Sequence, residues 1–417
     1  MSNLQDTRAR LEKCWTATRL NSIAVQTVSF QPKESKINQD RLVTEEWKIL
    51  GQKWLFLAVC DGHGGTATAE YTANKLPKRI RHALLDLIRA HDGLDRNNVV
   101  QADSSVSEML QTEIRTLDKS IGQAVKKLCP NPAELTEEQA RALVAEHSEV
   151  LQRAWCGTTL AAALINVTHR FMWAVGVGDS TVALSSLDST GKRESQRLNP
   201  LHNLDDPKEF FRVAMAHPST EKGIVKSGLL LHYLPMTRAI GDFGLKFESA
   251  YVDKLFRHVP STHRNFTPII EHNKTPPYVT ARPSVAYVDL QPLWDNKPII
   301  TLFSDGVDNI VNGAAVFRPG SPSTTEPSKV VSSLLEDTID PYVEKELGHP
   351  IQSKWNGENE NRAVEVLGNL LGGTNIERLE MCLDQSRLDN LEADPPFHID
   401  DTTIILCNVS ELTPTYN

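Results

Sequence analysis

The sequence predicts an α+β protein. Two patterns alternate along it: short apolar runs that read as buried strands, and longer stretches with apolar residues three and four apart that read as helices. The third observation is that carboxylates stand at the tips of the apolar runs.

In chain order, residues 22–30 and 54–60 read as strands, and the second ends in Asp61. Residues 66–88 read as a helix, with Pro77 marking a break. Between 105 and 128, Leu110, Ile114, Leu117, Ile121, Val125 and Leu128 draw one face of an amphipathic helix, and Ser105 with Glu108 has the spacing of a capping box. Residues 136–152 read as a charged helical excursion. Residues 159–167 fit a strand or a short helix. The runs 171–177 and 298–304 lead into Gly178-Asp179 and Asp305, whereas Asp400 and Asp401 precede the run 402–409. Residues 317–327 form a loop rich in Pro, Ser and Thr, and 360–371 a helix ending at Gly372-Gly373.

Composition narrows the function classes. A chain of 417 residues, 40% hydrophobic and 23% charged, has the make-up of an ordinary globular protein, and no apolar run is long enough to span a bilayer. The net charge of −9 offers no basic footprint for nucleic acid. Six scattered cysteines without a C-x-x-C pair disfavour structural zinc and disulfides and point to a reducing compartment. The N-terminus lacks a secretory pattern, and Asp6 and Glu12 interrupt Arg8, Arg10, Lys13 and Arg19, so the expected location is cytoplasmic or nuclear.

Asp61-Gly62-His63-Gly64-Gly65 places an acid, close-approach glycines and a proton carrier at one strand end. Alone, it is equally well read as a tight connection. Recurrence changes the balance: Asp61, Asp179, Asp305 and Asp400 come from four distant segments, and hard oxygen ligands on neighbouring strand tips suit Mg²⁺ or Mn²⁺. Without a cation such a group would repel itself. For any single aspartate, a turn after a strand remains the ordinary reading.

Seven blocks in order carry a resemblance: Asn38-Gln39-Asp40-Arg41, Asp61-Gly62-His63-Gly64-Gly65, Cys156-Gly157-Thr158-Thr159, Val177-Gly178-Asp179-Ser180, Thr237-Arg238-Ala239-Ile240-Gly241-Asp242, Ser304-Asp305-Gly306 and Asp400-Asp401-Thr402-Thr403. With them the chain resembles the metal-dependent protein phosphatases, the type 2C serine/threonine enzymes. His202-Asn203, Glu209, His217-Pro218, residues 275–283 and the turn 370–374 are similar to the pyruvate dehydrogenase phosphatase branch, which makes the mitochondrial matrix the alternative location.

The resemblance implies a four-layer α-β-β-α sandwich, two mainly antiparallel sheets flanked by helices. It places one phosphatase domain over 22–409, with insertions at about 129–152 and 312–360, after an extension 1–21 and before a tail 410–417. It implies a monomer acting on phosphoprotein with two Mg²⁺ or Mn²⁺ ions and a weak third. Asp61 would bridge the two ions, Asp305 and Asp400 complete the first, the Gly62 carbonyl and water help bind the second, and Asp179 support the third, with Asp40 also among the metal-binding residues. A hydroxide bridging the ions would attack phosphorus in line, and His63 would protonate the leaving alkoxide or only orient water. Gln39 and Asp401 would support the metal ligands from behind.

Two departures stand out. Gln39 replaces the usual glutamate, which weakens the second metal. Ser35 stands where many members carry a phosphate-binding arginine, leaving Lys33 or Lys36 as point charges or simply solvated lysines. Gln39 motivates a rival reading, a catalytically weakened, pseudophosphatase-like scaffold that binds phosphoprotein. A metal hydrolase of small phosphate esters is the second rival.

Overall fold

Side chains along the strand Gln52–Cys60 alternate between two apolar layers, and that alternation sets the architecture. Leu55, Leu57 and Val59 face one layer, while Trp54, Phe56, Ala58 and Cys60 face the other. The computed structural model describes residues 3–20, 24–260, 265–357, 361–390 and 397–413.

Two antiparallel sheets stack face to face. One has five strands, in the order Ser284–Asp289, Phe171–Val177, Leu160–Asn166, Gln52–Cys60 and Arg41–Ile49. The other has six, in the order Trp15–Leu20, Val25–Phe30, Thr402–Asn408, Ile299–Phe303, Thr181–Leu187 and Arg193–Arg197. Leu57, Ala163, Met172, Val182, Leu302 and Ile405 fill the space between them. Helices Ala67–Ala90 and Val99–Leu128 cover the five-stranded sheet through Leu76, Ile80, Leu84, Leu110 and Ile114. Helices Asp305–Asn312, Pro327–Ser333 and Arg362–Leu371 cover the other through Ile310, Val330, Leu367 and Leu370. This is the expected four-layer α-β-β-α sandwich.

Several local expectations change. Pro77 does not break its helix, which runs unbroken as Ala67–Ala90 with Pro77 buried. The apolar stripe on both sides of the proline outweighs one lost hydrogen bond. Ser105 is not a cap, because the helix begins at Val99 and Val99, Ala102 and Val106 extend its buried face. Residues 136–152 form two helices, Glu137–Glu146 and Ser148–Trp155, the first with a capping box between Thr136 and Gln139. The ambiguous run 159–167 is a strand, Leu160–Asn166, sandwiched between two others and buried along its length.

The segment set apart as 1–21 contributes the helix Leu4–Leu11 and the edge strand Trp15–Leu20. Residues 1, 2 and 21, the start of the run 22–30, residue 360 of the helix 360–371 and residues 414–417 of the tail 410–417 lie outside the described residues.

Candidate metal centre

Strand direction brings the four aspartates to one end of the sandwich. In the five-stranded sheet Val177 pairs with Leu160 and Val59 with Ala161, so Asp61 and Asp179 leave the same edge. In the six-stranded sheet Phe303 pairs with Ile404, so Asp305 and Asp400 share an edge too. Asp305 opens the helix Asp305–Asn312, and its N–H points at Asp61 Oδ2, 3.4 Å away across the two sheets. Ser304 Oγ, just before it, donates to Asp40 Oδ2 at 2.8 Å.

The charges there oppose one another. Burial first, then Asp40, Asp305, Asp400 and Asp179, raise the Asp61 carboxyl well above the usual range. Burial followed by Asp179 and Asp400 does the same to Asp305. Asp40 is pushed up to about 7 by burial and then by Asp401, against the Ser304 hydroxyl. Asp179 is raised, chiefly by burial. Asp400 moves the other way: burial would raise it, but His398 and Lys36 hold it below the usual range.

Among the described residues, no group of three or more His, Cys, Asp or Glu side chains stands close enough together to hold a metal ion as placed. The fit to a hard cation rests on the donor set, which is acidic, partly or fully buried and rich in oxygen. Asp40 Oδ1 and Asp179 Oδ1 are buried with no hydrogen-bond partner among the described residues, and an ion would satisfy such atoms.

Three sequence blocks interlock to hold the turn after Asp61. Gly62–His63 pairs with Gly157–Thr158, which pairs with Ile240–Gly241. The Asp61 carbonyl accepts the Thr159 N–H and the Thr158 hydroxyl, each at 2.9 Å. A Cβ on Gly62 would lie 2.5 Å from the Gln39 carbonyl oxygen, so only glycine fits there. Gln39 itself is buried. Its side-chain oxygen accepts the Gly65 N–H at 3.0 Å, and its own N–H goes to Asp401 Oδ2 at 3.0 Å.

His63 is partly buried against Asp242, with Nε2 at 2.8 and 2.9 Å from the two carboxylate oxygens. Burial alone would lower the imidazole pKa, but Asp242 outweighs it and the net shift is upward. Lys36 Nζ lies 3.1 Å from Asp400 and 3.3 Å from Asp401. Lys33 Nζ instead meets Asp389 at 3.1 Å. Lys36 thus joins Asp40, Asp61, Asp179, Asp305, Asp400 and Asp401 at one end, while Lys33 stands on the wall of the adjoining cleft.

Sequence reasoning missed several partners. Asp242 closes a recognised block, and its position directly after Gly241 was the available signal. Ser304 opens a recognised block but reaches Asp40 only through the fold, and His398, two residues before Asp400, carried no motif of its own. Gln31, whose amide donates to Asp401, was likewise invisible. Nearby, Glu209 gathers Thr237, Arg212 and Arg238, while His202 Nδ1 accepts the Gly178 N–H at 3.2 Å and steadies the Gly178-Asp179 turn.

Residues 36–344 match the family model described as Protein phosphatase 2C. The chain is 25% identical over 287 residues to the mitochondrial pyruvate dehydrogenase phosphatase 1 of Saccharomyces cerevisiae, covering 66% of this chain and 45% of the relative. It is 28% identical over 229 residues to that of Rattus norvegicus, covering 54% of this chain and 39% of the relative. The chain therefore spans less than half the length of either relative. Among solved structures, a serine-threonine phosphatase 2C from Toxoplasma gondii superposes with a TM-score of 0.50 at 14% identity, covering 94% of this chain and 98% of that one, a likeness of fold. With a family model matched over most of its length and the acid motifs meeting at one end of the sandwich, this chain belongs to the protein phosphatase 2C family.

Proposed function

We propose that the protein hydrolyses phosphoserine and phosphothreonine in phosphoproteins with the help of two Mg²⁺ or Mn²⁺ ions. The observation that carries this reading is the meeting of Asp61 and Asp179 from one sheet with Asp305 and Asp400 from the other, Asp179 buried and the rest partly so, with like charges repelling one another. Asp61, Asp305 and Asp400 would hold the first ion. Asp61, Asp40 and the Gly62 carbonyl would hold the second, and Asp179 a weak third. When bound, the ions supply Lewis acidity that makes hydroxide available for in-line attack and neutralises charge on the phosphoryl oxygens.

The chain's own groups do the rest. His63, oriented through Nε2 by Asp242, delivers a proton to the leaving alkoxide. Lys36, at the edge of the carboxylates, offers a point charge to the phosphoryl group, with Lys33 farther along the cleft wall. Gln39 and Asp401 hold the Gly62–Gly65 turn and the loop before it.

The mitochondrial relatives favour the matrix over the cytoplasmic or nuclear expectation, which finds no support among them. Among the described residues no helix is long and apolar enough to cross a membrane. We take the working form to be a monomer.

The test is cleavage of a phosphothreonine peptide and of p-nitrophenyl phosphate by the purified chain in millimolar Mn²⁺ or Mg²⁺. Turnover that disappears with a chelator supports the reading. A specific observation favours the weakened-scaffold alternative: Gln39 brings a neutral oxygen already engaged by the Gly65 N–H. Phosphopeptide binding without cleavage would select that alternative.

A further inference from the structure

A cleft of about 790 Å³ opens beside Asp40, and five of its lining residues are cationic. Arg10, Lys13, Lys33, Lys36 and Arg41 line it, opposed by Glu34 and the buried Asp40, in a protein of net charge −9. Its walls come from three distant places: the N-terminal segment, the loop that leads to Asp40, and residues around Leu383 and Gln385. The aspartate cluster repels an acidic ligand, and a cation of this wall that is free to pair would give such a ligand a partner at the same mouth.

Four of the five cations are already engaged. Arg10 meets Glu380 at 2.6 Å, Lys33 meets Asp389, Lys36 meets Asp400 and Asp401, and Arg41 donates to the carbonyls of Asn38 and Asp40. Lys13 is exposed and makes no ion pair among the described residues. On the loop between Lys36 and Asn38, Ile37 is 75% exposed. An apolar side chain presented to water next to the candidate centre suits a chain-like ligand more than a small ester.

We infer that the cleft takes the acidic flank of a phosphorylated protein segment, with Lys13 pairing with an Asp or Glu near the phosphorylated residue and Ile37 covering an apolar neighbour. This rests on the phosphatase reading, since a phosphate held at the aspartate end sets the register of the flank. The Lys33–Asp389 pair is part-exposed and weak, so Lys33 can exchange its partner for the ligand at little cost.

The test uses two phosphothreonine peptides that differ only in flanks, Asp/Glu in one and Lys/Arg in the other. Binding to the full chain with Mn²⁺ is read by fluorescence anisotropy, alongside cleavage of both peptides and of p-nitrophenyl phosphate. The acidic-flanked peptide is expected to bind about tenfold more tightly at low salt, with the gap narrowing as salt screens the charges. Lys13→Glu should remove most of that preference, through KM more than kcat, and Lys13→Arg should keep it. Equal binding of the two peptides, or an unchanged preference in Lys13→Glu, overturns the inference. A preference that holds in a protein unable to cleave even p-nitrophenyl phosphate overturns the phosphatase reading and leaves the cleft standing. Cleavage of the small ester with flank-indifferent binding overturns the cleft alone.

Discussion

Asp401 Oδ2 accepts the backbone N–H of Gln39 at 3.0 Å, joining two residues 362 positions apart. Oδ1 accepts the Gln31 amide, and Lys36 Nζ lies 3.3 Å from Oδ2. One buried carboxylate therefore fixes the loop 31–39 against the start of the strand Thr402–Asn408, and through Gln39 it fixes the turn that carries Gly62. Metal ligands from both ends of the sequence depend on that anchor for their spacing.

Asp401→Asn keeps the shape and removes one acceptor. Either the Gln39 N–H or the Gln31 amide then faces an NH₂ group, leaving a buried donor unpaired at a cost of about 1–3 kcal/mol. Urea unfolding of the metal-free protein should show a lower midpoint at an unchanged m-value. An unchanged midpoint would remove Asp401 from this role.

His202 makes stability depend on pH. Burial, helped by the Arg238 charge, lowers its folded pKa from the ordinary 6.5 to about 4. As pH falls below 6.5 the unfolded chain takes up a proton that the folded chain refuses. The contribution is thus complete above 6.5 and declines between 6.5 and 4 by about 1.4 kcal/mol per pH unit. His202→Asn keeps an acceptor for the Gly178 N–H and should flatten that part of the profile, as followed by urea midpoints at a series of pH values. A variant with the wild-type slope would assign the slope to other groups.

The positions of Asp61, Asp179, Asp305 and Asp400 were legible because each abuts an apolar run, and strand period is a local property. Whether residues 159–167 formed helix or strand was not, since Ala161, Ala162 and Ala163 suit a helix and only the flanking strands Gln52–Cys60 and Phe171–Val177 decide it. The four-layer order came from the likeness to a family, because periodicity says which face is apolar and not what covers it. Pairs such as His63 with Asp242, 179 positions apart, are created by strand pairing through Gly157 and leave no local trace.

Asp305→Asn and Gln39→Glu should move metal response in opposite directions. Removing the Asp305 charge relieves repulsion from Asp61, Asp179 and Asp400, so the metal-free protein should be as stable as wild type or more so. The rise in Tm on adding Mn²⁺ should disappear with the ligand. Gln39→Glu keeps an acceptor for the Gly65 N–H but adds a negative charge at the acidic end. Its metal-free form should melt lower, and its Tm should rise at lower Mn²⁺ concentration than wild type. A normal Mn²⁺ response in Asp305→Asn would defeat the proposed first metal site.

Gly157→Ala separates proton delivery from metal binding. The absent Cβ at 157 leaves the room in which His63 Nε2 meets Asp242, and a methyl group would press on both partners at once. His63 would then lose the carboxylate that orients its ring and raises its pKa. The leaving group matters here: a serine or threonine alkoxide needs a proton, whereas p-nitrophenolate leaves without one. Cleavage of a phosphothreonine peptide should therefore fall by about 10²-fold or more, with a much smaller loss on p-nitrophenyl phosphate. The Mn²⁺-induced shift in Tm should stay close to wild type, because Asp61, Asp305 and Asp400 are untouched. Equal losses on both substrates would mean that the substitution acts through the Asp61 turn, and His63 would lose its place as the proton donor.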